Sequence, residues 1–247
     1  MRRMTTDCID WIKEYFRSTD NSNAVIGISG GKDSAVVAAL CTEAIGKDRV
    51  IGVLMPNGFQ ADIEDSRQLC DFLRVKKMLV DISSICAGMS QCVFNASYDI
   101  KELSEQTRIN MIPRIRMTTL YAIAQSINGR VANTSNLDES LVGYCTLWGD
   151  NVGDFSPLGN LHVSDVLEIG DDLGLPYSLV HKTPSDGLTG MTDEDKIGFS
   201  YADVECAYEK SHNEELTKNE KKAASRIAQF CWKRSMLNIP TFVPEVE

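Results

Sequence analysis

Paired cysteines and clustered histidines are missing from this sequence. Its 247 residues include eight cysteines, at 8, 41, 70, 86, 92, 145, 206 and 231, and no two stand as C-x-x-C. The three histidines, His162, His181 and His212, are dispersed, so no Cys/His cluster has zinc-ligand spacing. Several cysteines lie in apolar runs, as Cys41 does in AVVAALC, and read as reduced core thiols. A basic surplus is missing too. The 25 Lys and Arg are outnumbered by 35 Asp and Glu, for a formal charge of −10. Such a surface repels phosphate backbones and argues against a general nucleic-acid binder, while leaving room for a small anion in a local positive pocket. MRRMTTDCIDWIKEYF has basic residues but no apolar core of a signal peptide, and no run approaches the ~20 apolar residues of a membrane span. The expectation is a cytoplasmic protein without membrane or nucleic-acid partners.

What is present is 43% hydrophobic residues, enough for a full core, in a pattern that alternates. Helix-like segments at 5–17, 34–45, 62–75, 84–95 and 111–127 interleave with apolar runs at 24–28, 49–55, 76–82 and 130–134. Gly46 suits the end of the second helix, Asp62 the start of the third, and Pro113 the start of the fifth. Further helices are expected at 136–144, 164–173, 201–210 and 217–236, the last opened by a Thr217–Glu220 capping box. Strands that are apolar throughout, alternating with helices, predict an α/β fold: an open parallel sheet with helices on both faces. No repeat, low-complexity tract or linker divides it, so one domain over 1–247 is expected. The Gly-rich stretches 145–161 and 183–200 are long for plain loops, as functional lids often are.

Between the first strand and its helix stands GISGGKDS: Gly27, Ile28, Ser29, Gly30, Gly31, Lys32, Asp33 and Ser34. Open α/β sheets bind ligands at this place. Glycines let backbone N–H groups approach an anion, the serines donate, and Lys32 adds a cation. Asp33 would repel phosphate unless a Mg²⁺ stood between them. The loop is neither a Walker A motif, since Asp follows the lysine, nor G-x-G-x-x-G.

The loop resembles the pyrophosphate-binding loop of the N-type ATP pyrophosphatases. Together with NMIPRIRMTTLYAIA (110–124), NTSNLDESLVGY (133–144), GDNVGDFSPLGNL (149–161), KTPSDGL (182–188) and TDEDKIGFSYADV (192–204), it resembles ammonia-dependent NAD synthetases along nearly the whole chain. The resemblance implies an adenine nucleotide alpha hydrolase-like fold, a homodimer, and amidation of deamido-NAD with ammonia and ATP through an acyl-adenylate. It implies catalytic roles for Lys32, Asp33 and Ser34, and ATP contacts from residues Gly27 to Ser34, Thr134 and Ser185. It implies Mg²⁺ ligation by Asp33 and Glu139, and deamido-NAD contacts from Arg114, Asp154, Trp232 and Lys233. From the residues alone, Glu139 reads equally as the capping-box partner of Asn136, Arg114 as a solvated helix residue and Asp154 as a loop aspartate.

Three positions depart from the family's pattern. Leu147 and Val163 stand where lysines are usual, and Trp232 where a histidine is usual; Arg130, Lys182 or His162 are candidates to compensate. The departures keep a second reading open, amidation of a different carboxylate by the same chemistry. A tRNA-modifying enzyme is disfavoured by the acidic charge, and a passive nucleotide-binding module by the two metal carboxylates. Cys8 lies in an amphipathic helix, and no glutaminase segment is recognisable, so ammonia is the expected nitrogen source.

Overall fold

The computed structural model describes residues 1–60, 63–96, 99–100, 102–182, 192–210, 215–236 and 239–244. In chain order the elements are α1 (Arg3–Arg17), β1 (Asn23–Gly27), α2 (Lys32–Ile45), β2 (Val50–Leu54), α3 (Ile63–Leu73), β3 (Lys76–Leu79), α4 (Ser83–Ala96), α5 (Glu105–Ser126) and β4 (Gly129–Val131). Then come α6 (Leu137–Leu141), α7 (Val163–Asp172), α8 (Tyr177–Val180), α9 (Asp193–Ile197), α10 (Tyr201–Glu209), α11 (Lys218–Phe230) and a 3-10 turn, Cys231–Met236.

The strands form one parallel sheet in the order β3-β2-β1-β4, with Val25 opposite both Ile51 and Val131. Alternate residues of the buried strands feed two cores. Ala24, Ile26, Val50 and Leu54 face α1, α2, α3 and α7, while Val25, Ile51, Val53 and Val131 face α4 and α5. Side chains that point to both faces of a sheet covered on both sides must be apolar at every position, which explains the unbroken runs. The chain leaves β1 toward β2 on one side, and β4 returns on the other. A crevice therefore opens at the carboxyl ends of β1 and β4, the switch point of such sheets.

The α/β expectation holds, with three local corrections. Pro113 is not at a helix start: α5 begins eight residues earlier, at Glu105, where the Ser104 side chain accepts the Thr107 N–H at 3.1 Å. The polar, exposed first turns of α5 carry little apolar periodicity, and the cap at Ser104 marks its start instead. The expected last helix ends at Phe230 and tightens into the 3-10 turn. The stretch 145–161 is not a surface lid throughout. Phe155, Leu158 and Leu161 have no exposed surface, and parallel bridges join Ala132 to Phe155 and Ser156 to Thr241, continuing the line of the sheet. Asp62 and residues 183–191, half of the stretch 183–200, lie outside the described residues, and with them the lid expectation. Gly46 does end α2, at φ 83°, and the Thr217–Glu220 capping box is formed.

Phe155 packs between Tyr15 and Phe16 of α1, with ring centroids 4.9 and 5.2 Å away. It locks the long connection to the core. Phe155→Ala is expected to cost about 3–5 kcal/mol, read as a lowered midpoint in urea unfolding; a loss under about 1 kcal/mol would mean that the loop packs independently of α1.

Candidate active site

The loop after β1 has little conformational choice. Gly30 has φ 85°, a left-handed conformation that favours glycine. The Ser29 hydroxyl accepts the Gly31 N–H at 3.2 Å, and the Ser34 hydroxyl donates to the Gly31 carbonyl at 3.0 Å while accepting the Ser29 N–H at 3.3 Å. These bonds close the loop on the N-terminus of α2, whose first N–H groups have no partner within the helix and present a partial positive charge. Lys32 is buried, and its ammonium lies 2.9 Å from the Asp33 carboxylate and 5.9 Å from the Tyr201 ring centroid on α10. A buried cation needs such partners to offset its lost hydration.

The loop after β4 meets it. Asn136 has no exposed surface. Its Nδ2 donates to Asp33 Oδ1 at 3.0 Å, and its Oδ1 accepts the Glu139 N–H at 3.0 Å. The Glu139 carboxylate returns the capping box by accepting the Asn136 N–H at 3.2 Å. Both readings of Glu139 are therefore compatible: it is the capping partner, and the cap holds its carboxylate one residue from Asp33. Thr134 is half-buried on the same loop. Asn136 entered the sequence reading only as a cap; no local pattern shows which remote residue a cap side chain also reaches.

The donor set suits a hard cation. Two carboxylates, Asp33 and Glu139, both bond to Asn136, and among the described residues no group of three or more His, Cys, Asp or Glu forms a ready cage. Mg²⁺ is commonly held by one or two carboxylates, with water and substrate phosphates completing the shell.

Of the other expected contacts, Arg114 and Lys233 converge on one turn. Arg114 Nε donates to the Leu147 carbonyl at 3.1 Å, and Lys233 Nζ to the carbonyls of Gly143 and Cys145 at 2.8 and 3.2 Å. Gly143 sits at φ 64°, where a Cβ would also lie 2.6 Å from Phe230 Cβ. Trp232 is exposed beside Lys233. A polar pocket opens here, lined among others by Asn133, Ser135, Cys145, Asn151, Lys233 and Arg234. The Cys145 thiol is pushed up to about 11 by desolvation, then by Asp150, so it is no ready nucleophile there.

Asp154 stands apart from this turn. Its Oδ2 accepts the Val131 N–H at 2.7 Å and its Oδ1 lies 3.4 Å from the Tyr121 hydroxyl, so the carboxylate secures β4. Ser185 lies outside the described residues. Of the candidate compensating cations, Lys182 pairs with Asp65, Arg130 donates to the Gly129 carbonyl, and His162 pairs with Asp138. Val163 is partly buried and packs against the apolar cluster of α6, α10 and α11.

A glycine loop at a switch point, closed by its serines, carrying Lys32 and Asp33 and bonded to Asn136 of the loop after β4, marks a nucleotide-handling α/β enzyme. The family model for NAD synthase matches residues 4–236. The NH(3)-dependent NAD(+) synthetase of Pyrococcus furiosus is 38% identical over 203 residues, spanning 81% of this chain and 77% of its own length. Among solved structures, NMN synthetase from Francisella tularensis matches with a TM-score of 0.83 at 29% identity, covering 97% of this chain and 98% of its own. NH3-dependent NAD synthetase from Campylobacter jejuni matches at 0.76 and 28% identity, covering 97% and 99%. The chain belongs to the NAD synthase family, and is a ligase of that family.

The His162–Asp138 pair gives a pH signature. Burial disfavours the imidazolium, but the hydrogen bond and charge of Asp138, then Glu205 and Asp165, outweigh it and raise the His162 pKa. A raised folded-state value means that the pair's stabilisation is complete below the unfolded value of about 6.5 and fades as pH rises through the folded value. A hydrogen bond to a charged group contributes about 1.5–3 kcal/mol. The Tm gap between the native chain and His162→Gln is therefore expected to be several degrees at pH 6 and narrower at pH 9; a gap that widens with pH would contradict the assignment.

Proposed function

We propose that this chain amidates deamido-NAD with ammonia at the expense of ATP, giving NAD, AMP and pyrophosphate. The observation that carries the reading is the meeting of the Gly27–Ser34 loop with Asn136 and Glu139, in a chain whose curated relative is named for that activity. A nicotinate carboxylate is a poor electrophile. One of its oxygens attacks the α-phosphorus of ATP, the bond to the β-phosphate oxygen breaks, and pyrophosphate leaves. Ammonia then adds to the acyl carbon, AMP departs with the former carboxylate oxygen, and the nitrogen loses a proton.

The chain's own groups fit these steps. The loop N–H groups, the Ser29 and Ser34 hydroxyls and Lys32 stabilise charge gathering on the departing pyrophosphate. Asp33 and Glu139 would hold Mg²⁺, which supplies charge neutralisation on the phosphates. Thr134 and Ser185 contact ATP in this reading. Arg114, Asp154, Trp232 and Lys233 serve the dinucleotide, Arg114 and Lys233 by shaping the 143–147 turn and Asp154 by fixing β4. A site closed to water protects the acyl-adenylate from hydrolysis. Nitrogen comes from free ammonia, the chain acting as one synthetase domain.

A second reading has its own support. The solved NMN synthetase is similar over nearly the whole chain, and Leu147 and Val163 leave two positions without a cation. In that reading the nicotinate carboxylate belongs to a mononucleotide, and one phosphate fewer needs neutralising.

We also infer a cytoplasmic homodimer. Eight unpaired cysteines, four of them buried, suit a reducing compartment, and no helix among the described residues is long and apolar enough to cross a membrane. The edge strand β3 and the following α4 expose Met78, Leu79, Ile85, Met89 and Phe94, an apolar face that a second copy would cover. Light scattering should give twice the chain mass, falling to one with Met89→Glu; a native monomer would refute the dimer.

Incubation with ATP, Mg²⁺, ammonium and either deamido-NAD or nicotinate mononucleotide, followed by mass spectrometry, tests the substrate. NAD with AMP is expected from the first; higher kcat/KM on the mononucleotide would favour the second reading. Glutamine in ammonia-free medium should give no product. Asp33→Asn should lower adenylation by a factor on the order of 10²; normal turnover would remove Asp33 from the metal site.

A further inference from the structure

Behind the two carboxylates lies a pair of buried polar groups, His162 and Asp138, that the reaction does not use. Asp138 follows Leu137 on α6 and has no exposed surface. Its Oδ1 lies 2.7 Å from His162 Nδ1, and its Oδ2 accepts the Val163 N–H at 2.7 Å, so both oxygens grip the start of α7. The Leu137 N–H donates to the Leu161 carbonyl at 2.9 Å, a third tie at the same place. His162 is itself fixed. Its N–H donates to Asp165 Oδ2 at 2.9 Å, its ring lies 5.9 Å from that of Tyr208 on α10, and Glu205 of α10 accepts the neighbouring Ser164 hydroxyl at 2.8 Å.

α6 has only five residues, too short to hold its place by its own backbone bonds. Yet it carries Glu139, and its cap Asn136 holds Asp33. We propose that His162 is a positioning residue: through Asp138 it clamps α6 to α7, so that Asn136 and Glu139 present the Asp33–Glu139 pair in the geometry that takes a divalent cation with its nucleotide. The linkage runs without a gap from His162 to Asp138, along one peptide bond to Glu139, back through the capping box to Asn136, and across to Asp33 Oδ1. The Asp138 carboxylate, buried and doubly engaged, transmits a small shift because it has no solvent to relax into.

The inference rests on the assignment of Asp33 and Glu139 to the metal, and its test separates the two. Mn²⁺ affinity is measured by electron paramagnetic resonance in the presence of α,β-methylene-ATP, which cannot be cleaved. Asn at 162 can keep a donor near the Nδ1 position, whereas Gln places its amide one bond further out. His162→Gln is expected to weaken Mn²⁺ binding about tenfold, and His162→Asn to restore it to within about threefold of the native chain. Circular dichroism reports whether each folds. If His162→Gln does not fold, Asp138→Asn, which keeps the shape and removes the charge, should show the tenfold loss. Native affinity in a folded His162→Gln or Asp138→Asn, or equal losses in Gln and Asn at 162, would overturn the clamp. Asp33→Asn and Glu139→Gln serve as the reference: if they leave Mn²⁺ affinity unchanged, the metal assignment fails, and if they weaken it while the His162 variants do not, the clamp alone fails.

Discussion

A buried amide between two carboxylates holds this site together. Asn136 spends its donor on Asp33, its acceptor on the Glu139 N–H and its own N–H on the Glu139 carboxylate. Each of those groups is costly to leave unpaired inside a protein, so Asn136 has one arrangement in which most of its polar atoms are satisfied. That arrangement requires the loop after β1 and the loop after β4 to stand side by side. They do so because β1 and β4 are neighbours in the sheet, which in turn requires every residue between the sheet faces to be apolar.

The surrounding structure divides between holding that junction and holding what must approach it. Tyr201 brings α10 over the Lys32 ammonium, and the capping boxes at Asn136, His162 and Ser200 fix the starts of three helices near it. Arg114 and Lys233 hold the 143–147 turn as Asn136 holds the glycine loop: they satisfy carbonyls that a tight turn would otherwise leave bare. Phe155 and Leu158 tie the following stretch into the main core. Flexibility near the chemistry is thus confined by side chains rather than by regular backbone structure.

Much of this was legible in the amino-acid order. The unbroken apolar runs, the glycine loop and the Thr217–Glu220 cap are local signals, and each became the expected element. The first turns of α5 were not legible, because a polar helix face at the surface has no apolar period and only Ser104 marks its start. Phe155 was hidden in a Gly-rich stretch, since one aromatic residue carries no periodicity. The double role of Glu139 was half legible: spacing shows the cap, but only the fold brings Asp33 to the other side of it. The Asp154 carboxylate also secures β4, a contact between remote segments that no local pattern encodes.

The strand order has a consequence for how the protein comes to exist. β1 and its first partner β2 are joined by a short path, but β4 pairs with β1 only after more than a hundred residues have intervened, and the Asp33–Asn136 bond spans a separation of 103. Loop-closure entropy opposes so remote a pairing until much of the rest is in place. A chain emerging from the ribosome therefore shows one flank of β1 bare while α3, β3, α4 and α5 are being made. In that interval the bare edge of β1, whose three central residues are buried in the finished fold, is a site where mispairing can begin. The candidate site is in this sense a late acquisition: the remote pairing of β4 with β1 is also the one that assembles it.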